Sequence, residues 1–264
     1  MASFSVVNNI ASANAQANLV QTSMGLNRAL TRLSSGLRIN GGGDDAAGLA
    51  VANTYRNEQA ILNQGVRNAN DGLSDLQVKD GALSNISTLL DRLATLATQA
   101  ASGASGADIG KLANEYDALV DEIDREATVA GIDASSGFSV FISATDGAIA
   151  DTIGACDTTT LGLTTLTMTN VADAQDSLDE VVAAIDTLGD VQSTIGTLSN
   201  RLQFAISLAT SQSINKRAAE SRIRDANVAE ESANMTKFNI LSQSGIAALA
   251  QANQSTSSVL ALLR

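Results

Sequence analysis

The sequence predicts a mainly α-helical protein. Long antiparallel helices form a coiled-coil rod with one small β-hairpin region, and the N- and C-terminal helices pair with each other. Three observations predict this class: the chain has no proline, aromatic residues are 3% of it, and apolar residues recur at helical spacing over long stretches. Proline is the strongest helix interrupter, so its absence permits very long helices. Few aromatic residues favour thin Ala/Leu seams between helices over a thick core.

The first segment, from residue 6 to about residue 33, has a helical pattern and no charge before Arg28. Its polar positions are mainly Asn, Gln and Ser. Two apolar stripes run along it, the first at Ile10, Ala13, Ala17, Val20 and Met24 and the second at Leu26, Leu30, Leu33 and Leu37. Amphipathic spacing of this kind predicts a helix that needs a partner.

Three glycines at 41–43 are expected to end that helix, and Asp44 or Asp45 is expected to cap the next one. A glycine run before a helix also occurs in phosphate-binding loops. Here no Gly-Lys-Ser/Thr follows, and two carboxylates stand where the anion would lie, so we interpret the segment as a hinge with a cap.

A heptad-like pattern then predicts a helix over residues 62–100, about 58 Å long at about 1.5 Å per residue. Its apolar positions are Leu62, Val66, Ala69, Leu73 and Leu76, then Leu83, Ile86, Leu90, Leu93, Ala97 and Ala100. We expect a phase slip between the two sets, around Asp80–Gly81. Residues 102–108 end this helix, and another is predicted over 109–130.

Residues 131–170 are the only β-like region. A hairpin is predicted by the alternation of apolar residues at Phe138, Val140 and Ile142 and by a turn at Asp146–Gly147. The Thr-rich segment that follows predicts a short further strand. Helix resumes at about residue 172 with a long repeat at Ala174, Leu178, Val181, Ile185, Leu188, Ile195, Leu202, Ile206 and Ala209. Lys216, Arg217, Arg222 and Arg224 then cluster, which we interpret as a helix-end charge set rather than a nucleic-acid site.

The last segment, 227–264, is again helical in pattern and has no charged residue between 239 and 263. Its predicted stripe is Phe238, Leu241, Gly245, Ala248 and Ala252. Because both ends carry few charges and have apolar faces of small residues, we expect them to pair with each other and with copies of themselves. Residues 1–40 and 225–264 are therefore expected to be buried, and the acidic body, 41–224, with its tip at 131–170, is expected to be solvated. The predicted assembly residues are Leu26, Leu30, Leu33, Leu37, Phe238, Leu241, Ala248, Leu249, Leu260 and Leu263.

Composition also restricts the chemistry. The chain has no His and a single Cys, Cys156, so the usual nucleophile–base pairs and zinc sites cannot be assembled. We predict no enzyme activity, no cofactor and no metal site. The carboxylates between Glu115 and Glu126 could bind a metal ion, but their spacing fits the solvated face of a helix better. A net charge of −12 disfavours nucleic acid as a partner, and the sequence has no apolar run long enough for membrane insertion and no signal-peptide pattern at its start.

The two ends resemble bacterial flagellin. The resemblance lies in LNRALTRLSSGLRIN (26–40), DDAAGLAVA (44–52) and residues 219–264, in this order and at the proper ends. It implies a structural subunit that polymerises into the extracellular flagellar filament for swimming, with export, unfolded, through the flagellar type III apparatus. The implied partners are further copies of the chain, an export chaperone on the terminal helix, and the cap and junction proteins.

The same resemblance implies recognition by toll-like receptor five. LDRLATLATQ (90–99) aligns with the recognised helix and places Arg92, Leu96 and Glu115 at the family's contact positions. Ala94 and Thr95 stand where stimulatory flagellins carry a charged pair, so we expect reduced potency. Two alternatives remain at this point: a hook–filament junction protein with flagellin-like ends, and a coiled-coil surface adhesin.

Overall fold

The computed structural model describes residues 9–102, 109–143, 147–163 and 170–262, with side chains up to residue 255 in the last helix. Its elements are α1 (Ile10–Ser35), α2 (Ala46–Ala101), α3 (Ile109–Ala130), β1 (Ser136–Ser143), β2 (Gly147–Ile153), α4 (Val171–Arg224) and α5 (Val228–Leu262). The predicted class, long helices with one small hairpin, is confirmed. The chain divides into two compact units, residues 1–57 with 215–264 (the terminal unit) and residues 58–214 (the rod unit).

Helix α1 of the terminal unit has a side-chain cap at its start and a glycine cap at its end. Asn9 Oδ1 accepts from the Ser12 N–H at 3.0 Å, and Gly36, with φ 70°, donates its N–H to Arg32 O. The helix therefore ends before the glycines at 41–43 that were expected to end it. Leu37 lies beyond the cap and forms a bridge with Asp225, so its assignment to a helical stripe is wrong. The αL glycine turns the chain before Leu37 is reached.

The two candidate caps of α2 have different roles. Asp45 Oδ1 accepts from the Gly48 N–H at 2.8 Å, which makes Asp45 the cap. Asp44 Oδ2 accepts from the N–H groups of Asn40 and Gly41 and so closes the glycine loop. The carboxylates satisfy backbone donors of this segment, so the predicted cap is confirmed at Asp45, and the hinge stays a prediction.

The rod unit is built around the apolar face of α2. Leu62, Ala69, Leu76, Leu83, Leu90 and Ala97 are buried at an unbroken seven-residue spacing. The predicted phase slip near Asp80 is therefore wrong. The pattern looked interrupted because Lys79 occupies a seam position: its side chain is buried, and its Nζ donates to Gly131 O at 3.2 Å, at the C-terminal end of α3. A cation at that place satisfies the helix end and replaces an apolar residue.

Two glycines of α2 allow the hairpin to pack closely against this helix. β1 and β2 pair antiparallel, with Val140 opposite Ile149. A Cβ on Gly65 would overlap the carbonyl of Ile142, and one on Gly72 would lie 2.6 Å from Val140 Cγ2. The hairpin therefore packs against bare helix backbone, which a larger side chain at either position would prevent.

The described residues contain no third strand. The prediction of a short further strand in the Thr-rich segment is therefore wrong for 154–163. Residues 164–169 lie outside the described residues. Asp157 Oδ1 accepts from the Thr160 N–H at 3.2 Å, and Leu163 N donates to Thr158 O, so the hydroxyl-rich segment forms turns. Cys156 is fully buried at the start of this loop. Burial, with the neighbouring charge of Asp157, raises the pKa of its thiol to about 11.

No helical stretch among the described residues combines the length and the apolarity that crossing a bilayer requires.

Candidate assembly interface: the terminal helix pair

Helices α1 and α5 of the terminal unit pack against each other in opposite directions. Near the end of α1, Arg32 meets Glu231 at the start of α5. At the other end of the pair, Asn9 Nδ2 donates to Ala252 O at 3.0 Å. The two chain ends therefore pair with each other, as their composition predicted.

The seam between the helices follows one heptad on each side. On α1 the inward positions, all at least half-buried, are Ser12, Ala15, Leu19, Thr22, Leu26, Ala29 and Leu33. On α5 they are Glu231, Met235, Phe238, Ser242, Gly245, Leu249 and Ala252. Small and hydroxyl residues alternate with large apolar ones, so the helices approach closely and bury little area per turn.

Two glycines, one on each helix, accommodate large side chains of the other. A Cβ on Gly25 would lie 2.6 Å from two ring carbons of Phe238. A Cβ on Gly245 would lie 3.1 Å from Leu19 Cγ. Sliding either helix by one turn would place these side chains against a Cβ, so the two knob-and-hole contacts set the register of the pair.

An ion pair closes the same seam. Arg32 Nη1 donates to Glu231 Oε1 at 3.1 Å, and Glu231 is 8% exposed. A buried charge that loses its partner costs about 3–5 kcal/mol, so the pair disfavours other registers. Sequence reasoning missed this contact. The contact could have been found from the sequence, because antiparallel pairing of the two ends brings Arg32 and Glu231 to the same level along the helix pair.

The pair covers one stripe of each helix and leaves others open. Among the described residues of α1 and α5, only Ala29 and Glu231 are buried. Large apolar side chains stay exposed on both described helices, namely Ile10, Val20, Met24 and Leu30 on α1 and Val228, Ile240, Leu241 and Ile246 on α5. The stripe predicted from Ile10 to Met24 is therefore the face of α1 that points away from α5.

The predicted assembly residues are distributed over both kinds of surface. Leu26, Leu33, Phe238 and Leu249 lie half-buried in the seam, and Leu37 lies in the connection after α1. Leu30, Leu241 and Ala248 are exposed, the last two beside a groove of about 550 Å³ between the helices. The predicted stripe on α5 is thus partly displaced, since Ser242 and Leu249 take the inward places assigned to Leu241 and Ala248. The Leu260 side chain and Leu263 lie outside the description.

The predicted receptor patch lies on the rod unit. Arg92 Nε and Nη2 donate to Glu115 Oε1 at 3.0 and 2.5 Å, and both side chains are about half exposed. Leu96 is 1% exposed and packs in the core. A partner at this surface would therefore contact the ion pair and Thr95. Leu96 would not be contacted directly, because its side chain packs in the core beneath the helix.

Comparison with known proteins agrees with this architecture. The family model of the bacterial flagellin N-terminal helical region matches residues 6–133, and that of the C-terminal helical region matches residues 164–263. The chain belongs to the bacterial flagellin family. Residues 134–163, which contain the hairpin and the Cys156 loop, lie between the two matches.

Relatives match over nearly their whole length. Flagellin of Halalkalibacterium halodurans is 34% identical, with 91% of this chain and 94% of the relative covered. A flagellar filament 33 kDa core protein of Treponema phagedenis is 34% identical, with 97% and 98% covered. A crystal structure of Bacillus cereus flagellin, 34% identical, covers 58% of this flagellin and 94% of that chain at a TM-score of 0.49.

The knob-and-hole contact at Gly25 yields the first testable expectation. Gly25→Leu fills the space that the Phe238 ring occupies, so we expect the terminal unit to lose about 1–3 kcal/mol of stability in thermal unfolding followed by circular dichroism. Adding Phe238→Ala to that variant removes the ring that the new leucine would overlap, so the double variant should recover part of the lost stability. Gly81→Leu is the control, because a Cβ at Gly81 meets nothing within 4 Å. Equal behaviour of the Gly25 and Gly81 variants would contradict the register contact.

Proposed function

We propose that the terminal helix pair is the polymerisation element of this flagellin. As a flagellin, the chain is a structural subunit of the flagellar filament. Our proposal is that α1 and α5 form its inner layer around a channel, and that the open stripes of each pair are covered by the pairs of neighbouring copies. The observation that carries it is the set of exposed apolar side chains on two helices that bury only Ala29 and Glu231 among their described residues.

The energetics support this assignment. Ile10 is 61% exposed, Val20 54% and Met24 56%. Covering side chains of this size, already partly buried, contributes about 1 kcal/mol each, so the open stripes supply several kcal/mol per copy on assembly. The charge-free stretch of α5 fits the same role, because an unpaired ion buried among copies would cost several kcal/mol.

Marginal stability of the pair before assembly also suits passage through a narrow export channel. Helices gain most of their stability from packing of an amphipathic face, and here that packing is incomplete in one copy. We infer that the chain is exported unfolded through the flagellar type III apparatus, with a chaperone covering α5, and that cap and junction proteins meet the same helices. The filament would then act in swimming. As a member of a structural family, the chain is assigned no enzymatic role.

Elongation from seeds, followed by electron microscopy, tests the proposal. Val20→Glu and Ile246→Glu each place a charge on an open stripe, and because both residues are already exposed, the single chain should fold as before. We expect each variant to lose elongation, since the charge would have to be buried between copies.

Val129→Glu on α3 is the matched control, an exposed apolar residue of the rod unit that should elongate normally. Elongation of Val20→Glu and Ile246→Glu at the wild-type rate would overturn the role of these stripes. Failure of the wild-type chain to form filaments at all would overturn the function itself.

The exposed Arg92–Glu115 pair supports a second proposal, recognition by toll-like receptor five with reduced potency. Charged residues at the rim of an interface mainly affect the association rate, and Ala94 and Thr95 supply no charge at that place. In a receptor reporter-cell assay we expect the soluble chain to be weaker than a flagellin with the charged pair, and Arg92→Ala to be weaker still. Arg67→Ala, an exposed arginine on the same helix, should change nothing. Full potency of the wild-type chain would contradict the proposal.

A further inference from the structure

Helix α4 carries opposite charges in its two parts. Residues 171–200 contain six Asp or Glu and no Lys or Arg. Residues 215–224 contain four Lys or Arg and one Glu. One continuous helix therefore has an acidic half, 171–200, and a basic end, 215–224.

Among the described residues, each part keeps charged side chains without an ion-pair partner. Asp176, Asp179, Asp186 and Asp190 are exposed on the outward face of the acidic half, and in the described chain their carboxylates have no ion-pair partner. At the basic end, Arg224 pairs with Glu220 at 3.7 Å and Lys216 lies 5.1 Å from the Tyr55 ring centre.

The other two cations of the basic end are not engaged in this way. Arg217 and Arg222 are exposed and have no such partner among the described residues. Two arginines are therefore available to a partner, on the same helix as four available aspartates.

The helix dipole accounts for the cations in the last turn of α4 but not for the aspartates inside its acidic half. The dipole favours acids in the first turn and bases in the last turn of a helix, where Asp173, Arg222 and Arg224 already lie. Asp179, Asp186 and Asp190 lie two to five turns inside α4, beyond that range.

A second observation marks the same helix as a contact surface. Phe204 is 77% exposed, and Leu208, one turn on, is 52% exposed. Both lie between the acidic half and the basic end. A large aromatic side chain that is left in water is costly, and aromatic residues with arginine are the usual anchors of protein interfaces.

We propose that the outer face of α4 is an interface between copies, in which the basic end of one copy lies along the acidic half of α4 in the next copy. Arg222 shares the helix face of Asp186 and Phe204 and is the main contact, and Arg217 lies at its edge. The inference rests on the proposed self-assembly and specifies one of its contacts. The second copy is the partner because this chain itself carries both complementary surfaces.

The same charges select the arrangement. Two parallel copies in register would place aspartates against aspartates and arginines against arginines, which is unfavourable. An antiparallel pair would match the charges but close as a dimer, whereas a self-polymerising chain needs a head-to-tail contact. We therefore expect parallel copies offset along the axis.

The rod unit increases the need for this contact. Residues 58–214 carry 22 acidic and six basic residues, so rods packed side by side repel each other. A basic end inserted at each offset lowers that repulsion locally.

Complementary charge reversal tests the interface. We expect Arg217→Glu with Arg222→Glu to slow seeded elongation about tenfold or more at low salt, and Asp186→Lys with Asp190→Lys to do the same. All four changes in one chain should restore elongation, because each reversed surface meets its reversed partner. An equimolar mixture of the two double variants should also elongate, with the two proteins alternating.

Matched controls separate specific contact from net charge. Arg56→Glu with Arg67→Glu makes the same charge change on exposed α2 positions, as does Asp71→Lys with Asp80→Lys, and both should elongate near the wild-type rate. In about 1 M salt the Debye length falls to about 3 Å, so the differences between variants should shrink. Circular dichroism melting of each variant confirms that the chain is folded.

The outcomes are distinguishable. Wild-type elongation with no rescue in the fourfold variant, or with equal slowing by the controls, would overturn the α4 interface and leave the proposed function standing. Absence of wild-type filaments would instead overturn the proposed function.

Discussion

The antiparallel contact between α1 and α5 is the interaction on which the terminal unit depends. The contact is specific, because Gly25 and Gly245 admit Phe238 and Leu19 and because Arg32 meets Glu231 inside the seam. It is also thin, since only Ala29 and Glu231 are buried among the described residues of the two helices. A pair of helices can thus have one preferred register and still gain little stability in a single copy. That combination suits a chain whose ends are completed by its neighbours.

The rod unit differs from the terminal unit, because its apolar residues are buried within a single copy. A continuous heptad face on α2 from Leu62 to Ala97 packs against α3, α4 and the hairpin. Polar or small residues interrupt that face only where another element requires them. Lys79 satisfies the C-terminal end of α3, and Gly65 and Gly72 let the hairpin approach the helix backbone. Both units place their inward residues at heptad spacing. The rod unit buries more surface because large apolar residues occupy these positions there, whereas small residues occupy many of them in the terminal unit.

Periodicity predicted most of the helices, because long amphipathic repeats without proline leave few alternatives. It failed where a local partner replaced a periodic residue. Lys79 looked like a phase slip because its partner, the carbonyl of Gly131, is 52 residues away. Leu241 and Ala248 looked inward because they are apolar, whereas Ser242 and Leu249 complete the heptad set by Phe238 and Gly245. Leu37 extends a leucine spacing that the left-handed Gly36 cuts short. The paired ends could be predicted from composition, but the Arg32–Glu231 contact required the register.

We propose that α1 and α5 form an incomplete pair whose stability comes from other copies. Hydrogen exchange measured on the unpolymerised chain and on its filaments tests this proposal. We expect backbone amides of 10–35 and 228–255 to exchange fast in the unpolymerised chain, far faster than those of 62–100, and to become strongly protected in the filament. Protection of the terminal helices equal to that of the rod in the unpolymerised chain would contradict it, and so would terminal helices that stay unprotected in the filament.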